Sequence, residues 1–162
     1  MIAHERDGPQ FYYRVAGIFR HDDHVLLHRM ETQDFWSMPG GRCELGEPSD
    51  VTLRRELAEE LGVVATIGPL RFVVENFFTL DGDDYHELCL FYDVSLPADH
   101  RLYDMTHAHR GVEEGKGDEE DQILIFHWYP LDDLIDMPLY PAFLRTALRD
   151  VDRGLRHIVQ WG

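Results

Sequence analysis

Three glutamates close together carry the first chemical signal in this chain. Glu56, Glu59 and Glu60 lie in a stretch where Leu53, Leu57 and Leu61 repeat at i, i+4 and i+8, an apolar stripe at helical period. At about 100° per residue the three carboxylates fall within about 100° of one another, beside the stripe rather than opposite it. Carboxylates so placed repel one another. A hard divalent cation such as Mg²⁺ or Mn²⁺, which takes oxygen ligands and welcomes several negative charges, removes that conflict. The plain alternative is a solvated acidic face on an acidic chain.

These side chains need an element to hold them. Glu47-Pro48-Ser49-Asp50 reads as a helix start, with Ser49 or Asp50 able to cap exposed amides, and Gly62 as its C-terminal glycine. The helix then runs from about 49 to 61. Upstream, residues 13–19 and 25–29 read as hairpin strands joined by a turn at Asp22-Asp23. A loop containing Trp36 follows, and Pro39-Gly40-Gly41 marks a turn or a close backbone approach. Downstream, residues 63–67, 71–78, 85–96 and 122–129 read as strands, with a hairpin turn at 81–84 around Gly82. Residues 97–121 form a long polar connection, longer than a bland connector needs. A short helix is expected over 130–135 and a longer one over 142–151, with Phe143, Leu144, Ala147, Leu148 and Val151 facing inward. Strands before, between and after helices predict an α/β or α+β sandwich with a mixed sheet and helices on its faces.

Composition bounds the partners. The chain has 162 residues, a length that suits one domain spanning 1–162. Fifteen Lys+Arg against 31 Asp+Glu give a net charge of −16, which disfavours a broad nucleic-acid or anionic-membrane surface. A small anionic substrate is still compatible if a cation in the site screens the charge locally. No stretch is long and apolar enough for a membrane span, and residues 1–9 lack a basic region followed by an apolar run. Cys43 and Cys89 read as free thiols, so the expected compartment is the cytoplasm.

Written out from Gly41, the segment has five residues, Glu47, seven residues, then Arg55-Glu56-Leu57-Ala58-Glu59-Glu60-Leu61-Gly62-Val63. At every fixed position it resembles the signature of the Nudix hydrolases. Trp36-Ser-Met-Pro39-Gly40-Gly41 resembles the family's lead-in, and the 128–134 segment its late strand and short helix. The resemblance implies an α/β/α sandwich that hydrolyses a nucleoside diphosphate linked to another group (a nucleotide sugar, ADP-ribose or a nucleoside triphosphate) by water attack on phosphorus. It implies Mg²⁺, with Mn²⁺ as a substitute, held by Glu56, Glu59, Glu60 and a backbone carbonyl at Gly40 or Gly41. Arg55 then orients a glutamate and pairs with Glu47. Glu56 is the first candidate base, with Glu113, Glu114, Glu119 and Glu120 of the long connection as alternatives.

The same resemblance places the 75–78 and 86–88 segments at a substrate cleft, where Glu75, Phe78 and His86 become candidate substrate contacts. His86 and Glu87 point to opposite faces of a strand, so at most one of them faces the cleft. Phosphate contacts fall to arginines such as Arg14, Arg29, Arg42 or Arg71, because Lys116 is the only lysine. Family members are often dimers, which brings in a homodimer. A binding module that kept the fold and lost turnover would lack some of these glutamates, and this chain has them all.

Overall fold

The computed structural model describes residues 8–162, so the reading of the N-terminus lies largely outside the described residues. Among the described residues nine strands form two sheets. The mixed sheet has the order β4-β1-β6-β5-β9, from strands β1 (Gln10–Ile18), β4 (Gly40–Arg42), β5 (Thr66–Leu80), β6 (Asp83–Ser95) and β9 (Arg156–Trp161). The second sheet, order β2-β3-β8-β7, is antiparallel and comprises β2 (Arg20–His21), β3 (His24–Met30), β7 (His109–Glu113) and β8 (Gln122–Pro130).

Strand alternation divides the buried side chains between two cores. Val15 and Leu26 point into one, together with Leu53, Leu57 and Leu61 of helix α1 (Ser49–Leu61). Ala16, Val25 and Leu27 point into the other, against Leu144, Leu148 and Val151. The sheets are therefore covered on one side by α1 and on the other by the C-terminal helical segment. This is the layered α/β arrangement that the pattern predicted.

Several local expectations need correction. The hairpin across Asp22-Asp23 is real, but across that turn β3 pairs with the short β2 rather than with β1, through Arg20↔Val25 and His21↔His24. Strand β1 belongs to the mixed sheet, parallel to β6 and antiparallel to β4, because the chain passes from one sheet to the other near Phe19. Both turn aspartates have positive φ, 45° and 57°, which suits the right-handed twist of a two-residue hairpin. The strands expected at 63–67 and 71–78 are one strand, β5, with register shifts between Ile67 and Phe72. The long polar connection hides β7, whose short apolar content gave no alternation to read. The 142–151 helix is a single α-turn, α2 (Leu144–Ala147), continued by a 3₁₀ segment over Leu148–Arg153. Strand β9 was not expected at all, since its inner residues are only half-buried at a sheet edge.

Candidate active site

Helix α1 begins and ends as its sequence dictates, with one difference. Pro48 is the N-cap in extended conformation and provides no side-chain cap. Ser49 instead turns its hydroxyl to Tyr92, 2.8 Å away. At the other end Gly62 adopts φ 66°, and its amide donates to the Ala58 carbonyl. The left-handed conformation is one that glycine enters without steric penalty. Burying the leucine stripe fixes the rotation of the helix, and that rotation sets the depth of each glutamate. Glu59 is exposed, Glu56 is partly covered, and Glu60 is only 6% exposed.

Arg55 organises the cluster. Its Nε and Nη2 donate to the two carboxylate oxygens of Glu47 at 3.0 and 2.9 Å, a two-pronged contact that ties the preceding loop to the helix. Thr52, fully buried, donates its hydroxyl to the same Glu47 at 2.8 Å. Hydrogen bonds from Arg55 and Thr52 hold the Glu47 carboxyl down at about 2. The remaining arm, Nη1, donates to Glu56 at 2.9 Å and to Glu59 at 3.2 Å.

Glu60 is in the opposite situation. Burial, followed by the charges of Glu56 and Glu113, pushes its carboxyl up to about 9. Its Oε2 is buried with no hydrogen-bond partner among the described residues. Burial and the neighbouring carboxylates Glu59 and Glu113 also raise Glu56, against the pull of Arg55. An orphaned carboxylate oxygen facing other carboxylates is a donor set suited to a hard cation. Gly41 of β4 runs directly against this set. A Cβ there would overlap the Glu56 carboxyl group, so any larger residue would turn that carboxylate out of its present position. Among the described residues no three His, Cys, Asp or Glu side chains already converge as metal ligands. Two of the candidate carboxylates are instead turned onto Arg55.

Strand β7 accounts for Glu113. Of the four glutamates expected as loop alternatives, it is the one whose charge acts on both Glu56 and Glu60. It stands at the end of β7, which packs alongside α1 so closely that a Cβ on Gly111 would meet the Glu60 carbonyl at 2.2 Å. Near this junction His28 is buried against Phe126, with its Nδ1 unpartnered among the described residues. Burial and the Arg14 charge hold its imidazole down at about 3, so it is neutral.

The candidate substrate contacts separate onto two faces. Arg42 lies over the Tyr12 ring at 4.1 Å, and Phe78 stacks on Tyr85 at 5.0 Å. His86 is sandwiched elsewhere, 4.3 Å from Phe77 and 5.3 Å from Phe11, while Glu75 bonds His157 at 2.8 Å. It is Glu87, not His86, that faces a cavity, together with Arg14. Arg71 is committed to Asp93 and Asp152, and Arg29 to the carbonyls of Met30, Glu31 and Gln33. Of the His86 and Glu87 alternatives that the sequence left open, Glu87 is the inward-facing one, whereas the burial of His28 went unread. A polar residue inside a strand otherwise destined for the core was the available signal.

Against known proteins, a family model for the NUDIX domain matches residues 11–151. The chain belongs to the NUDIX domain family. It is 44% identical over 56 residues to an 8-oxo-dGTP diphosphatase of Haemophilus influenzae, a match covering 32% of this chain and 41% of that relative. It is 28% identical over 125 residues to an uncharacterized Nudix hydrolase of Bacillus subtilis, covering 77% of this chain and 70% of that protein. Among solved structures, a MutT NUDIX hydrolase from Burkholderia pseudomallei aligns with TM-score 0.59 and 25% identity, over 86% of this chain and 97% of that one. The glutamate cluster on α1 thus lies inside the segment that defines this chain as a Nudix protein.

Proposed function

We propose that this Nudix protein is a divalent-metal-dependent pyrophosphohydrolase. It acts on a nucleoside diphosphate linked to another group, such as a nucleotide sugar, ADP-ribose or a nucleoside triphosphate. The observation that carries the reading is the buried, unpartnered carboxylate oxygen of Glu60 beside Glu56 and the Gly41 backbone. Glu56, Glu59, Glu60 and the Gly41 carbonyl would hold Mg²⁺, or Mn²⁺ in its place. Bound there, such an ion neutralises phosphate charge and acidifies a water. The substrate type draws support from the name of the Haemophilus relative, an 8-oxo-dGTP diphosphatase.

The chain's own groups have distinct tasks in this reading. Arg55 keeps Glu47 and the glutamates in register, so the loop cannot drift from the helix. Glu56, raised by burial, takes the proton as water oxygen attacks phosphorus and the anhydride P–O bond breaks. Glu113 is the second candidate for that proton, on its electrostatic contact with Glu56 and Glu60. Glu60 accepts no proton from substrate and serves as a ligand. The whole chain is read as one Nudix domain, and the free thiols Cys43 and Cys89 are in keeping with a reducing, cytoplasmic compartment. Among the described residues no helix is long and apolar enough to cross a membrane. A homodimer remains part of the proposal only as the family's common arrangement.

The test is a panel of nucleoside diphosphate derivatives with Mg²⁺, read as release of a nucleoside monophosphate. Turnover of at least one is expected, with EDTA abolishing it. Glu59→Gln and Glu60→Gln should each lower kcat by orders of magnitude while melting cooperatively. Full activity in both variants overturns the metal assignment.

A further inference from the structure

Helix α1 covers its face of the mixed sheet only in part. It packs over β1, β4 and part of β5, and farther across that face the side chains stay open to solvent. Val73 and Phe77 of β5 and Leu88 and Leu90 of β6 are half-exposed, and Val159 and Trp161 of β9 are 49% and 70% exposed. Their neighbours on the opposite face, Phe72, Val74, Cys89 and Phe91, are all buried. Strand alternation thus gives the sheet one finished face and one unfinished face. Register lines up the unfinished one. Phe11, His86, Phe77 and Trp161 form a single rung across four strands, with successive ring centroids 5.3, 4.3 and 4.2 Å apart. The rung behind it carries Leu88, Glu75 and Val159, and the next Leu90, Val73 and His157.

Rungs about 7 Å apart on strands about 4.8 Å apart give an apolar footprint of about 300 Å², a size at which an exposed patch on a monomer marks an interaction site. Charge says what kind of partner fits. The chain has 31 Asp and Glu and a net charge of −16, yet these three rungs hold one acidic residue, Glu75, and His157 bonds it at 2.8 Å. One rung outward the surface turns polar again, with Thr79 donating to Asp84 at 2.7 Å. A basic partner finds no free carboxylate to pair with on this face and is drawn to the acidic surface elsewhere. A partner as acidic as this chain is repelled everywhere except here.

The geometry points to this face as the contact surface between two copies of the chain, packed sheet on sheet about a two-fold axis. It gives the homodimer proposed above a surface without depending on the chemistry proposed with it. A two-fold contact needs a surface complementary to itself. With the axis along the strands, between β6 and β5, strand β1 of one copy lies opposite β9 of the other. Phe11 of one copy then faces Trp161 of the other, and His86 faces Phe77, so the aromatic rung closes on its own image. Leu90 faces Val73 in the same way. Packed sheets stand about 10 Å apart, a gap that side chains of this size fill from both sides. Twice the footprint is below the roughly 1,200 Å² at which standard complexes begin, so the association is reversible and depends on concentration.

Sedimentation velocity of the full chain, from about 1 to about 200 μM, tests this apart from turnover. A reversible monomer–dimer equilibrium is expected. Raising NaCl from low to moderate concentration should tighten it at least about threefold, because salt screens the repulsion between two acidic bodies and leaves an apolar contact intact. Trp161→Lys and Val159→Lys alter side chains that are exposed in the single chain, so each should keep a cooperative melt. Each should nevertheless raise the dimer Kd at least about tenfold, since a charge then has to be buried in the contact. A chain that stays monomeric at every concentration and salt level overturns the inference, whether or not the variants fold. Association that weakens with salt, open-ended assembly, or a dimer unchanged in both folded variants overturns it as well. A dimer that Trp161→Lys dissociates supports the face even if no nucleotide is hydrolysed, an outcome that defeats only the hydrolase reading. Hydrolysis by a strict monomer does the reverse.

Discussion

An ionised carboxylate costs free energy when water is withdrawn from it, and α1 treats its four acidic neighbours in two different ways. Glu47 receives three hydrogen bonds, from Arg55 and Thr52, and is held ionised. Glu60 receives none at Oε2 and is driven toward its neutral form. The first carboxylate is fastened to its partners and the second is left without one among the described residues, although both are glutamates of one motif. The Glu47 carboxyl lies near 2 in the folded chain and at 4.5 without its partners. Because the folded value is depressed, its stabilising contribution is present above pH 4.5 and is lost as pH falls through about 2. Glu47→Gln should therefore flatten the acid limb of a plot of melting temperature against pH between those limits. An acid limb identical to that of the unaltered protein would show that the Arg55 contact contributes nothing to stability.

At the scale of elements, the site depends on how closely α1 approaches two strands. On one side β4 presents Gly41 to Glu56; on the other β7 presents Gly111 to the Glu60 carbonyl. The second contact is against helix backbone, which cannot rotate aside as a side chain can. Gly111→Ala should push α1 away from β7 and destabilise the fold by about 1–3 kcal/mol, the usual cost of overpacking. Displacing the backbone that carries Glu60 should also reduce turnover. Urea unfolding measures the first effect, and a midpoint shift of nothing would mean the helix has room to move.

These two strands also show why the elements differed in legibility. Helix α1 was readable end to end, since its leucine period, its starting proline and its closing Gly62 all agree locally. Strand β7 was not. His109-Arg110-Gly111-Val112-Glu113 has little β-forming character of its own and becomes a strand only because β8 supplies its hydrogen bonds. β9 is held in the same way by β5. The misassigned partner of β3 has a related origin, because a hairpin turn specifies local pairing but not which sheet the preceding strand joins.

The whole molecule carries −16, a charge that works against its own compactness and against any phosphorylated ligand. Surface repulsion of this kind is screened over roughly 10 Å at 0.1 M salt. Raising NaCl from low to moderate concentration should therefore raise the melting temperature, and calorimetric scans across a salt series measure the slope. A flat or falling series would mean that the acidic groups are already paired within the fold. Much of the local pairing is indeed present, as in Arg20 with Asp152 at 3.0 Å and Arg110 with Glu31 at 2.8 Å, but 15 basic groups cannot neutralise 31 acidic ones.

Helical period and motif spacing alone placed the glutamates on one element and assigned the chain its family resemblance, because those relations are local and survive in the linear order. Glu113 joining the cluster, and Arg14 meeting Glu87 across a cavity, were decided only by tertiary structure. Glu113 is placed by β7 pairing with β8 beside α1, and Arg14 and Glu87 by β1 pairing with β6, 75 residues on; in both, register sets which side chains share a face, and register is a property of the assembled sheet rather than of either segment.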